Sequence, residues 1–84
     1  MTTEDIIAKL KIIIKPYVQN EKAFKKLSED TDFINDLEIN SANLVDIVLD
    51  VEDEFSIEID NESMENMLTV KAAIHIIESK LAAQ

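Results

Sequence analysis

The chain lacks cysteine, glycine and arginine entirely, and it has a single proline. Without cysteine there is no disulfide, thiolate metal site or cysteine nucleophile. Without glycine there is no glycine-rich loop to cradle a phosphate, and few of the turn signals that punctuate strand-rich folds. No long apolar run is present, and Ile12-Ile13-Ile14 is flanked by lysines. The sequence therefore offers no candidate signal peptide or membrane span. A soluble, cytoplasmic protein with no membrane insertion is expected.

What is present is acid. Eight lysines stand against 18 Asp and Glu in 84 residues, a formal net charge of −10. Lys9, Lys11, Lys15, Lys22, Lys25 and Lys26 all lie in the first third, whereas residues 27–70 hold 14 acids and no basic residue. Such a surface repels nucleic acid and anionic membrane, whose phosphates need Lys or Arg to displace counterions. It attracts basic patches on partner proteins and speeds their encounter.

The length suits one domain with one small core, residues 1–84. The apolar spacing is helical throughout. A first helix is predicted from Thr2 or Thr3, where Thr2-x-x-Asp5 forms a capping-box pattern. Ile6, Leu10, Ile13 and Tyr17 share one face, with Ile7, Ile14 and Val18 beside them, and Pro16 kinks or ends the helix. Residues 19–40 form a long connection with a short helical turn around Lys22 to Leu27, pinned by Phe33, Ile34, Leu37 and Ile39. Loops of this length are often functional.

A second helix is predicted from Ser41 to Phe55, with Leu44, Ile47, Val48, Val51 and Phe55 facing inward. Val45 and Leu49 fall at the edge of that stripe, where periodicity allows either burial or exposure. Ile57 and Ile59 alternate with polar residues over too short a run for a strand. Asp60 suits the N-cap of a short third helix carrying Met64 and Met67, and Thr69 that of a last helix with Val70, Ala73, Ile74, Ile77 and Leu81 inward. The predicted architecture is all-α: a small four-helix bundle, three longer helices and one short one, with a long first loop.

The material for catalysis is poor. His75 is the only histidine and reads as a surface or boundary residue. The carboxylates are too many to be specific, and a run such as Glu52-Asp53-Glu54 is ordinarily a solvated face. An EF-hand is excluded, because its loop needs a glycine for the sharp turn and ligands at alternating positions. No enzyme and no dedicated metal site are expected.

Ser41 ends the pinned loop and opens an acidic amphipathic helix. As an N-cap, its hydroxyl would accept a backbone N–H bond and need no further role. A helix N-terminus also suits an attached anionic group, by about 0.3–1 kcal/mol. A phosphodiester on the Ser41 oxygen would sit well there.

The stretch Phe33-Ile34-Asn35-Asp36-Leu37-Glu38-Ile39-Asn40-Ser41 resembles the signature of acyl carrier proteins, in which a phenylalanine and an Asp-Leu pair precede an Asp-Ser-Leu attachment motif. The resemblance continues through Val45, Asp46, Leu49 and Glu52-Asp53-Glu54-Phe55. It reaches Ile57-Glu58-Ile59, Thr69-Val70 and, more weakly, Ala72-Ala73-Ile74. The first helix agrees in type and length only. The resemblance implies a 4′-phosphopantetheine arm on Ser41, donated from coenzyme A by a phosphopantetheinyl transferase and holding acyl groups as thioesters. It further implies that Asn40, Ala42, Val45, Asp46, Leu49, Glu52 and Asp53 face partner enzymes with basic docking patches. Those partners would be acyl-transferring and chain-extending enzymes of fatty-acid, lipid or polyketide-type synthesis. Phe33, Leu49, Ile59 and Met67 would line a shelter for the acyl chain, and the carrier would act as a monomer.

Three residues depart from the pattern: Asn40 stands for the usual aspartate, Ala42 for the usual leucine, and Glu38 where glycine is common. The first two remove a charge and an apolar anchor beside Ser41, which points to a specialised carrier in a dedicated pathway. The third predicts an ordinary backbone conformation or some strain at Glu38. Two other readings remain open to the sequence. One is an aminoacyl carrier, peptidyl or D-alanyl; the other is an acidic helical adaptor without a prosthetic group. Charge reversal at Asp46 and Glu52-Asp53 is expected to slow transfer while leaving the fold intact.

Overall fold

A computed structural model describes residues 2–83. Five α-helices follow in order: α1 (Thr3–Ile14), α2 (Glu21–Lys25), α3 (Leu44–Phe55), α4 (Asn61–Asn66) and α5 (Val70–Ala82). Single 3₁₀ turns occupy Lys15–Tyr17 and Ser41–Asn43. Among the described residues there is no strand, and one isolated antiparallel bridge joins Asp32 to Thr69. No helix is long and apolar enough to cross a membrane among those residues.

Helix starts follow local chemistry. Thr2 and Asp5 close a full capping box, the Asp5 N–H donating to Thr2 Oγ1 and the Thr2 N–H donating to Asp5 Oδ2, both at 3.2 Å. Each bond satisfies one of the amides a helix start leaves free. Asp60 caps α4 through the Ser63 N–H, and Thr69 caps α5 through the Ala72 N–H. Pro16 falls inside the 3₁₀ turn that ends α1, since its ring cannot continue the helix.

The core is one cluster. Ile6, Leu10 and Ile14 of α1 meet Ile47, Val48, Val51 and Phe55 of α3, and Val70, Ala73, Ile74 and Ile77 of α5. The buried stripe of α1 is therefore Ile6-Leu10-Ile14, while Ile13 and Tyr17 pack on its margin half-buried. That is a rotation by one residue from the expected face. It arises because Tyr17 lies beyond the helix end and turns outward to α3. There its hydroxyl donates to Asp50 Oδ2 at 3.4 Å. Partial desolvation, then the carboxylates of Asp50 and Asp46, holds the Tyr17 phenol above its ordinary pKa. His75 is exposed.

The long first loop is fastened at both ends. The N–H groups of Gln19 and Asn20 both donate to the Leu37 carbonyl, at 3.1 and 3.2 Å. At the other end Phe33 N–H donates to Leu68, Val70 N–H to Thr31 and Lys71 N–H to Glu29. Phe33, Leu37 and Ile39 are buried in the core cluster, so the loop forms one wall of the bundle.

Candidate functional site

The segment leading to Ser41 is organised by one aspartate. Asp32 Oδ1 accepts from the N–H groups of Ile34 and Asn35, each at 2.8 Å, and its own N–H donates to Asp36 Oδ2 at 2.8 Å. The Asp32 carbonyl accepts from the N–H groups of Asp36 and Leu37. The amide bonds to its carboxylate, the one from Asn35 foremost and then that from Ile34, hold the Asp32 carboxyl below its ordinary pKa of 3.8. An aspartate bonding to the amides two and three residues ahead is a known turn-former. That signal is present in the sequence, but Asp32 was not among the residues it singled out.

Glu38 then adopts φ +57°. Its neighbours leave no choice. Leu37 and Ile39 are both buried, and the Ile39 N–H donates back to the Phe33 carbonyl at 3.0 Å. The chain must reverse between two anchored side chains, so residue 38 takes the left-handed conformation, which costs a non-glycine residue about 1–2 kcal/mol. Of the two conformations expected at Glu38, the strained one is observed.

Ser41 does not provide the cap expected of it. The cap at this helix start is Asn40, whose Oδ1 accepts from the Ala42 N–H at 2.9 Å, and whose carbonyl accepts from the Asn43 N–H at 2.8 Å. Ser41 is the first residue of the 3₁₀ turn, and α3 begins at Leu44 rather than at Ser41. Asn caps as well as Asp, so the departure at residue 40 removes a charge and keeps the capping. The Ser41 hydroxyl is not used as the cap. Ser41 is exposed, flanked by the exposed Asn40 and Ala42, so its oxygen is open to a bulky substituent.

Beyond Ser41, α3 presents an exposed strip. Val45 and Leu49, one turn apart, are 50% and 57% exposed, with Asp46, Asp50 and Asp53 on the same wet side. The ambiguity of Val45 and Leu49 is resolved as exposure. Glu52 is only half-buried, and its Oε2 accepts from the Ile59 N–H at 2.7 Å. Glu52 therefore has a structural duty within the chain as well.

The residues expected to shelter an acyl chain are not all brought together. Phe33 and Met67 lie in the buried cluster and Ile59 packs against it, whereas Leu49 is no part of it. A carboxylate-flanked helix keeps Leu49 on the solvent side. Among the described residues, no group of three or more His, Asp or Glu side chains is placed to hold a metal ion.

Residues 22–77 match the family model described as phosphopantetheine attachment site. The chain is thus a phosphopantetheine-bearing carrier domain. It is 38% identical to the acyl carrier protein of Coprothermobacter proteolyticus over 81 residues, covering 96% of each chain. It is 37% identical to that of Lactobacillus acidophilus over 79 residues, covering 94% of this chain and 96% of the relative. The chain belongs to the acyl carrier protein family. The fold agrees: the solved acyl carrier protein of Enterococcus faecalis superposes with a TM-score of 0.78 at 32% identity, over 95% of this chain and 99% of the other. That of Thermotoga maritima gives 0.77 at 26% identity, over 96% and 92%. As a family member the protein is a carrier rather than a catalyst, and its prosthetic group is 4′-phosphopantetheine.

Proposed function

We propose that Ser41 carries the phosphopantetheine arm and that the protein shuttles acyl intermediates among partner enzymes of fatty-acid, lipid or polyketide-type synthesis. The observation that carries this reading is the division of labour at the helix start. Asn40 takes the capping bond, and the Ser41 hydroxyl is left exposed at the first helical position. A side chain committed to capping would have to give up a bond worth about 1 kcal/mol to be modified; Ser41 has no such cost. Its place at a helix start also favours the negative charge of a phosphodiester. When attached, the arm supplies a terminal thiol that holds the acyl group as a thioester.

The chain's own residues then do three things. Val45 and Leu49 offer an apolar strip, and Asp46 and Asp53 a surrounding field, to partners bearing basic patches. A phosphopantetheinyl transferase would read the same strip from Asn40 and Ala42 onward. Phe33, Ile59 and Met67 would line the shelter for a cargo chain once helices part, with Leu49 serving the docking face instead. Asn40 and Ala42, which change the charge and the apolar contact beside Ser41, support a dedicated rather than a general pathway.

Intact-mass analysis after incubation with coenzyme A and a broad-specificity phosphopantetheinyl transferase tests the assignment. The wild type should gain one arm and Ser41→Ala none. No adduct on the wild type, or an adduct that survives Ser41→Ala, overturns it.

A further inference from the structure

We propose that the outer face of α1, together with α2, is a second docking surface, fitted to an acidic amphipathic helix of a partner protein. Two adjoining depressions of about 440 and 330 Å³ run along this face and share Lys15 and Phe24. The floor of the larger is Ile7, Ala8, Ile12 and Phe24; Val18 continues it in the smaller. Ile12 is 74% exposed, and the buried stripe of α1 is the opposite one, so Ile12 has no part in the core. A single exposed isoleucine is unremarkable, but one contiguous with a half-buried isoleucine and phenylalanine in a groove marks an interaction site.

Charge names the occupant. Lys11, Lys15 and Lys25 line the groove, against Glu4 and Glu21. The first 26 residues hold six of the eight lysines and only three of the 18 acids. In a protein of net charge −10 that balance contrasts with residues 27–70, which hold 14 acids and no basic residue. A basic partner is directed to α3, and an acidic one to this lysine-lined face. A second copy is disfavoured because two such chains repel each other.

Shape names the occupant's conformation. From Glu4 to Lys15 the lining residues recur at helical spacing, a strip about 16 Å long at 1.5 Å per residue. That length matches about three turns of a helix laid along α1, with Ala8 small enough for close approach. An extended peptide would need a sheet edge to pair with, and the described residues contain no strand. None of the groove residues belongs to the Ser41–α3 site, so a partner held here leaves the arm and the α3 strip free. This surface would tether the carrier while its acidic helix visits enzymes.

The test is a titration of the ¹⁵N-labelled chain with a synthetic amphipathic helical peptide, leucine on one face and glutamate elsewhere. Amide shifts should concentrate at Ile7, Ala8, Ile12 and Phe24, with Val45 and Leu49 unmoved. Lys11→Glu with Lys15→Glu, and separately Ile12→Asp, should each weaken binding by about tenfold or more. These side chains are solvent-exposed, so folding should persist, as verified by far-UV circular dichroism. The proposal fails if shifts fall on α3 or nowhere, or if the charge-reversed variant binds equally well. It also fails if the groove amides shift with protein concentration alone, or if phosphatidylglycerol vesicles compete the peptide off that face.

Discussion

The Glu52 carboxylate accepts a 2.7 Å hydrogen bond from the Ile59 N–H, fastening the last turn of α3 to the loop that leads into α4. The Glu52 carbonyl adds a second tie, accepting from the Ile57 N–H at 3.1 Å. Ser56 between them takes φ +55°, the left-handed residue that ends α3. A residue that the family resemblance marks as a docking acid is therefore also a clasp. Glu52→Ala should lower stability by about 1.5–3 kcal/mol, the usual worth of a hydrogen bond to a charged group. Asp53→Ala should stay within about 0.5 kcal/mol. Urea unfolding measures both; equal effects would mean the clasp contributes nothing.

It follows that reversing Glu52 cannot be expected to leave the fold intact, and the docking field is better probed at Asp46 and Asp53, which are exposed. Asp46→Lys with Asp53→Lys should slow arm transfer from coenzyme A while the melting temperature holds. The slowing should shrink as salt is added, because exposed charges are screened over about 10 Å at 0.1 M. Transfer rates indifferent to both changes would rule out electrostatic docking on α3.

At the start of the 3₁₀ turn, Asn40→Ala should cost about 1 kcal/mol through loss of the Ala42 cap, and Asn40→Asp almost nothing. Thermal unfolding reads that pair. Restoring the common motif with Asn40→Asp and Ala42→Leu should quicken modification by a general transferase relative to the wild type, since it returns a charge and an apolar contact beside Ser41. An unchanged rate would remove the support these two residues lend to a dedicated pathway.

Glu38 offers the opposite opportunity. Glu38→Gly removes a left-handed penalty of about 1–2 kcal/mol at an entropic cost of about 0.5–1 kcal/mol. A net gain of about 0.5–1 kcal/mol in urea unfolding is expected, whereas Glu38→Val should lose stability, because a β-branched residue resists positive φ.

The Asp32 turn should show in the pH dependence. Its folded pKa is depressed by the Asn35 and Ile34 amides, so its contribution is full above the unfolded aspartate value of about 3.9. That contribution fades as pH falls through the folded value. Asp32→Asn should therefore be less stable than the wild type at neutral pH, with the gap closing below about pH 4. A gap independent of pH would show that the ionised carboxylate adds nothing over the amide.

Much of the bundle was legible residue by residue. The caps at Thr2, Asp60 and Thr69, the stop at Pro16 and the inner faces of α3 and α5 follow from bonds and periodicities spanning a few residues. Ser41 stands out in the sequence for its place between a pinned loop and an acidic helix. Its hydroxyl's freedom was not legible, because Asn40 and Ser41 are both good caps and only the path of the preceding loop decides which one is used.

The sequence by itself thus determined which segments are helical, where the negative charge lies and which serine stands at the turn leading into α3, since these depend on near neighbours in the chain. The tertiary structure decided the rest. It chose Asn40 as the cap, forced Glu38 to positive φ by burying Leu37 and Ile39 on either side, and turned Val45 and Leu49 outward. It also brought the Glu52 carboxylate to the Ile59 amide, seven residues on, and set α2 against the outer face of α1. Each of these outcomes depends on where distant segments pack, and local spacing carries no record of that.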